Sequence, residues 1–202
     1  MINKSLFNQE VENEDRLSIE GFLSIEAFRD GKKIYNFHEK NIMLQLGKHE
    51  IMKILRNNTA RETNSVVRSI CRFAIGDGGA SPSFLYQPKP LDSERSSLFS
   101  EVHRKDVGST SHPEGHIIEF VTGFDSNDFS VSDFNAANGG TYINEAALIS
   151  SIPGEYNAGN PGDAGVVGPD DILINHKTFP SIPFTPGLGV LAVFKWRLHI
   201  IL

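Results

Sequence analysis

The segment VLAVFKWRLHIIL at positions 190–202 constrains the fold more than any other stretch. Val190, Ala192, Phe194, Trp196, Leu198, Ile200 and Leu202 are apolar, and Lys195, Arg197 and His199 stand between them. Successive side chains of a strand point to opposite faces, so a period of two carried this far predicts a long strand with one buried face. Such a strand needs pairing partners and a second layer over its apolar side, which commits the chain to a sheet-based fold.

Further strand signals run along the chain. GFLSIEAF and IYNFHE flank RDGKK, an Asp-Gly turn signal between two runs rich in Ile, Phe and Tyr, and predict a hairpin from about Ile19 onward. Val66 to Ile75, Leu98 to Val107, His116 to Phe124, Thr141 to Ile149 and Ile172 to Phe179 read as strands as well. One segment breaks the pattern. NIMLQLGKHEIMKILRNN, residues 41–58, places Met43, Leu46, Ile51, Ile54 and Leu55 on one helical stripe. Asn41 is its expected N-cap and Asn57 or Asn58 its stop, while Gly47 weakens its interior by about 1 kcal/mol relative to alanine. The expected fold is therefore mainly β: a two-sheet, β-sandwich-like domain with one amphipathic α-helix packed on it, so that the α+β component is minor.

Two stretches lie outside this frame. Residues 1–17 are polar and acidic, with Glu10, Glu12, Glu14 and Asp15 close together, and are expected to form an extended arm. Such an arm is either a disordered end or a clamp that orders on a neighbouring subunit. Residues 18–202 then make a single β-rich domain with two long loops, 80–97 and 151–170. The first is rich in Pro, Ser and charge, and the second carries Gly154, Gly159, Gly162, Gly165 and Gly168. Loops of this length commonly touch partners, although a mobile excursion is an equal reading for the glycine-rich one.

Charge and cysteine content narrow the function classes. With 25 acidic and 19 basic residues the formal charge is -6, and no basic stripe is present to steer nucleic acid or an anionic membrane. No apolar run approaches the ~20 residues of a membrane-spanning helix, and the first residues lack an apolar leader core. The expectation is a soluble protein made in the cytosol. Cys71, the single cysteine, excludes an intrachain disulfide and reads as a small buried strand residue, since nothing marks a base for it.

The stretch RFAIGDGGASP, residues 72–82, invites a sharper question. A phosphate loop needs a glycine-rich turn leading into a helix, whose unpaired N–H groups hold the anion. Here Gly76 to Gly79 leads into Ala80-Ser81-Pro82-Ser83, with neither a helix nor a Lys-Ser or Lys-Thr pair following. Asp77 offers one carboxylate where a calcium loop needs several ligands. The glycines are instead expected to serve a sharp exit from a buried strand at positive φ, with Asp77 bonding nearby backbone N–H groups.

Other chemistry lacks a constellation. His103, His112 and His116 do not have the spacing of a four-ligand zinc site, and no Gly-x-Ser-x-Gly is present. Glu101 with Arg104, and Glu145 within INEAAL, fall in strand-like segments, where a charge usually sits on a solvent face or in an ion pair. The expectation is a protein with no catalytic residues, no cofactor and no metal.

Taken in order, RFAIGDGGASP, LFSEVHR, IIEFVTGF and GGTYINEAAL resemble the N-terminal domain of tail-collar fibre proteins and related neck, collar and baseplate proteins of tailed phages. The matching positions are Gly76, Asp77 and Gly78; Glu101 and Arg104; and Gly139, Gly140, Tyr142, Ile143, Glu145 and Leu148. Thr141 stands where that family commonly has an aromatic, and Ala147 where it has a glycine. The likeness covers about residues 40–150 well, the terminal strand more loosely. It implies a virion structural part without catalysis, located in the tail or neck and made in the host bacterial cytoplasm. Its partners would be other tail, neck or baseplate proteins, with a ring-like homo-oligomer as the assembly and neither nucleic acid nor membrane as a target. Ending within an apolar strand at HIIL, the chain is expected to lack a fibre shaft, which favours an adaptor over a fibre proper. A tail-fibre-associated receptor- or carbohydrate-binding module is the alternative, prompted by Tyr86, Tyr142 and Tyr156 near loops.

Overall fold

A computed structural model describes residues 18–57, 69–151 and 171–201. The expected arm at 1–17, most of the glycine-rich loop and Leu202 therefore lie outside the described residues, as do Asn58 and the start of the expected strand at Val66. Among the described residues eleven strands and one α-helix form: β1 Ser18–Arg29, β2 Lys32–Met43, α1 Gln45–Asn57, β3 Ser69–Gly76, β4 Ala80–Ser81, β5 Phe84–Pro88, β6 Glu101–Asp106, β7 Ser109–Glu114, β8 Ile117–Asp125, β9 Tyr142–Ser151, β10 Ile172–Pro183 and β11 Val190–Ile201. The mainly-β, sandwich-like expectation with a single α-helix holds.

Nine strands pair in the order β6-β3-β9-β10-β2-β1-β11-β8-β7, every pair antiparallel. The ladder is strong everywhere but at one junction. Where β10 meets β2, only Asn175↔Met43 and His176↔Ile42 pair, so the sheet divides there into a five-strand half (β2, β1, β11, β8, β7) and a four-strand half (β6, β3, β9, β10). The halves face each other across an aromatic core. Phe73 of β3 lies 5.5 Å from Phe194 and 5.6 Å from Trp196 of β11, and 6.3 Å from Phe124 of β8.

The period of two in β11 is realised from Val190 to Leu198, while Ile200 is only half-buried. Val190, Ala192, Phe194, Trp196 and Leu198 are buried, and the residues between them are not. On β1, Leu23, Ile25 and Ala27 are buried in the same rhythm. Burial of each large side chain is worth about 1.5–3 kcal/mol, which makes these inner faces the main source of stability. The β1–β2 hairpin turns at Asp30 and Gly31, both with positive φ, as the Asp-Gly signal predicts.

A polar cluster closes the weak junction. With its amide oriented so that every donor meets an acceptor, Asn175 accepts from Trp196 Nε1 at 2.8 Å and from Asn41 Nδ2 at 3.0 Å, and donates to the Ile174 carbonyl. A Cβ on Gly21 would sit 2.1 Å from Asn41 Oδ1, so a larger residue there would displace the amides of this cluster.

Several local expectations are corrected. Asn41 is not the helix N-cap: β2 continues to Met43, because that stretch is where β2 touches β10, and α1 starts at Gln45. Leu46 is 48% exposed and so leaves the apolar stripe, while Ile51 is buried and the Leu55 side chain lies outside the described residues. Gly47 has a reason beyond propensity, since a Cβ would meet the Ile174 carbonyl at 2.3 Å where α1 packs on β10. Loop 80–97 is not without structure: β4 and β5 pair within it, and the Lys89 carbonyl accepts from Thr178 Oγ1 of β10 at 2.7 Å. Cys71 is only half-buried, with burial raising its thiol pKa, and its Sγ lies 3.7 Å from the Ser151 carbonyl.

Candidate functional site

The four-strand half is covered on both faces, which explains its unusual polar interior. Phe73, Ile75 and Leu148 point to the main core, while Ala74, Ala147, Ile149 and Leu173 pack on the other side with Leu44 and Leu98. Glu145 belongs to this second face. It pairs across β9 with Gly76 of β3 and Thr178 of β10, and the segment 98–100 crosses over it.

The Glu145 side chain is wholly buried and its carboxylate is surrounded by donors. Oε1 accepts from Ser100 N at 2.8 Å and Gly78 N at 3.2 Å; Oε2 accepts from Phe99 N at 2.9 Å and faces His176 Nε2, also at 2.9 Å. An ionised carboxylate only accepts, so the His176 Nε2–H donates. A buried charge is tolerated only when its lone pairs are filled in this way. One side chain thus ties three separate chain segments together: the turn after β3, the run before β6, and β10.

The glycines of the Gly-Asp-Gly-Gly turn make this possible, though not by the expected route. None of Gly76, Gly78 and Gly79 has positive φ. Each is needed for close approach. A Cβ on Gly76 would meet the Ser100 carbonyl at 2.3 Å, on Gly78 the Ser100 nitrogen at 2.6 Å, and on Gly79 the Asn144 carbonyl at 2.4 Å. Asp77 does bond backbone as expected, accepting from Asn135 N at 2.6 Å, and it accepts from Asn138 Nδ2 at 2.8 Å. Next to it, Gly79 N donates to Asn144 Oδ1 at 2.6 Å.

Glu101 and Arg104 form the expected ion pair on β6, but as part of a larger buried group. Arg104 Nε and Nη2 donate to the two Glu101 oxygens at 2.8 and 2.6 Å, and its Nη1 bonds Asp171 Oδ2. The same Asp171 oxygen accepts from Arg72 Nη1 at 3.2 Å. Burial alone would lower the Arg104 pKa; the hydrogen bonds and charge of Glu101, then those of Asp171, outweigh it and raise it. Glu101 stands opposite Gly76 in the β3–β6 ladder, so the ion-pair group adjoins the Glu145 site.

The remaining motif positions stand apart from any reactive group. Gly139 and Gly140 have φ of 92° and 123° and turn the chain into β9, which begins with half-buried Tyr142. Ile143 and Leu148 are core residues. Of the two settings expected for Glu145, a solvent face is excluded because β9 is buried on both faces, and its carboxylate instead meets His176. His176, Asn144, Arg72 and Asp171 were missed by the sequence reading. A histidine in ILINHKTF and an Asn-Glu pair inside YINEAALISS are the signals that point to His176 and Asn144, polar groups that an apolar strand buries only with partners.

The arrangement ties chain segments together. Every Glu145 and Asp77 contact above is to the protein itself, and both side chains are buried. Among the described residues no group of three or more His, Cys, Asp and Glu is placed to hold a metal ion; His103 instead packs edge-on to Phe124 and Phe129. No described helix is long and apolar enough to cross a membrane. Comparison of the chain with protein-family models, curated proteins and solved structures finds no match in any of the three.

Proposed function

We propose that the protein is a virion structural component of a tailed bacteriophage, an adaptor of the neck, collar or baseplate that attaches to the tail and holds fibres or neighbouring proteins. One observation supports this reading above others. Gly76, Asp77, Gly78, Glu101, Arg104 and Glu145, six residues that carry the resemblance, are packed into one continuous buried lattice that spends its polar atoms on the chain itself. Such a lattice stiffens a domain, as a part that transmits load requires, and the reading assigns it no catalysis. Assembly would be a closed homo-oligomeric ring. Light scattering on the purified protein and mass spectrometry of purified particles test the proposal; a strict monomer that is absent from particles overturns it.

A second reading, a receptor- or carbohydrate-binding module, is favoured by one feature of the β4–β5 hairpin. Phe84 and Tyr86 project from the same face of β5 and are 64% and 72% exposed. Neighbouring aromatic rings on a strand make a stacking platform. Tyr142 is half-buried at the start of β9, and Tyr156 lies outside the described residues. Glycan-array binding that Tyr86→Ala abolishes would favour this reading, and the absence of binding by the intact protein would remove it.

A further inference from the structure

β2 pairs with β1 from Asn41 to Lys32, but on its other side it meets β10 only at Met43 and Ile42. Lys32 to Asn41 thus present an edge with which no strand pairs among the described residues, and the segments that border it, 84–91 and 172–183, are themselves described. Two contacts give the direction of its backbone groups. Leu44 N donates to the Ile174 carbonyl at 3.2 Å, and the Lys40 carbonyl accepts from Lys177 Nζ at 3.1 Å, both on the β10 side. Alternate residues of a strand turn N–H and C=O to the same side, so Asn36 and His38 direct theirs to this edge as well. β10 is held off from them. Pro180 has no N–H to give, and its carbonyl accepts from the Tyr35 hydroxyl at 2.9 Å. Where the two strands diverge, a groove of about 370 Å³ opens, with Phe37, Ile42 and Leu91 as apolar lining and Lys89, Lys177 and Glu39 as charged lining.

We propose that this edge and groove bind an acidic, extended segment of a partner protein, which adds to β2 as a further strand. Main-chain hydrogen bonds to Asn36 and His38 hold the segment, and every second side chain turns toward the groove, where Phe37, Ile42 and Leu91 receive an apolar one. Lys32, Lys33, Ile34, Asn36, His38 and Lys40 are all exposed along the edge. Charge selects the occupant. Lys32, Lys33, Lys40, Lys89 and Lys177 stand along the edge and groove of a chain whose formal charge is -6. Glu26, Glu20 and Glu39 pair with Lys33, Lys40 and Lys177, which leaves the strip positive. An acidic strand is drawn to such a strip. A second copy of β2 is not, because lysines on an edge discourage pairing between like chains. This inference is independent of the virion reading.

The test pans a yeast-displayed library of random short peptides on the full-length protein, then follows amide hydrogen exchange with and without the best enriched peptide. Acidic sequences with apolar residues at alternate positions should be enriched. The bound peptide should slow exchange at Asn36 and His38, while Ala147 and Leu148 of the interior stay unchanged as controls of folding. Lys177→Glu should weaken binding roughly tenfold, with a thermal melt to check that the variant folds. Methylation of alternate peptide nitrogens leaves the protein untouched and should abolish binding. A library that yields no acidic sequence, binding that survives this methylation, or binding that leaves exchange at Asn36 and His38 as it was overturns the proposal. Protection of the same amides that grows with protein concentration without peptide, together with a dimeric mass, overturns it in favour of a second copy.

Discussion

Replacing Glu145 with glutamine keeps the side chain's shape and turns one oxygen into an amino group, which makes the cost readable from the geometry. Each carboxylate oxygen faces at least one backbone N–H, Gly78 and Ser100 on one side and Phe99 on the other. The cheaper placement puts the new amino group toward Phe99 and His176. His176 can then accept through Nε2 if its proton moves to Nδ1, an atom with no hydrogen-bond partner among the described residues. The Phe99 N–H has no such escape, and one orphaned buried donor costs about 1–3 kcal/mol. The bonds from Gly78 and Ser100 survive without the charge, at a loss of about 0.5–1 kcal/mol each. The total is about 3 kcal/mol, a sizeable part of the 5–15 kcal/mol that holds a typical domain together. In urea, with a slope near the upper end of ~1–3 kcal/mol/M, the midpoint should fall by about 1 M. An unchanged slope with a midpoint loss under ~0.3 M would refute the view that Glu145 clamps the turn. Glu145→Ala should fall further, since it orphans all three N–H groups and leaves a cavity.

Gly78→Ala should destabilise by about 2 kcal/mol or more through contact with the Ser100 and Phe99 backbone region, whereas Gly115→Ala, where a Cβ meets nothing within 4 Å, should be neutral or slightly stabilising; paired thermal melts compare them. Asp171→Asn weakens the acceptor shared by Arg72 and Arg104 and should cost about 3 kcal/mol, a fall of roughly 6–12 °C in melting temperature for a chain of this size. An unshifted melt would show the group to be energetically idle. Burial, and then the charge of Glu39, raise the Tyr35 pKa well above its ordinary value of 10. The folded state therefore holds a proton that the unfolded state releases, and stability present below pH 10 is lost as pH rises above it. Tyr35→Phe should flatten the decline in melting temperature above pH 10, and an equally steep decline in the variant would exclude Tyr35 as its source.

The parts of the fold that were legible in sequence are those where one face is wet. β11 alternates because its outer side faces solvent, and the β1–β2 hairpin is announced by Asp30 and Gly31. β9 was not legible in the same way. Buried on both faces, it offers no polar rhythm, and Glu145 within it looks like an ordinary surface charge until the segments that cover it are in place. β7 lacks an apolar pattern altogether, since STSHPE is exposed throughout and owes its form to the β8 ladder. The Gly-Asp-Gly-Gly turn was read as a turn, which it is. Its glycines answer to neighbours distant in sequence, Ser100 and Asn144, which no local pattern encodes.

The pairing of β1 with β11 over twelve positions, from Ser18↔Ile201 to Arg29↔Val190, also sets an order of events in time. Strands so far apart in sequence must find each other before the central ladder closes, and loop closure over that distance slows folding toward the regime of long-range β topologies. During synthesis β1 can join β2 at once but waits with its other edge unpaired until β11, which starts at Val190, has emerged. An open edge backed by Leu23, Ile25 and Ala27 invites pairing with other nascent chains, so yield in a crowded cell should depend on how long that wait lasts.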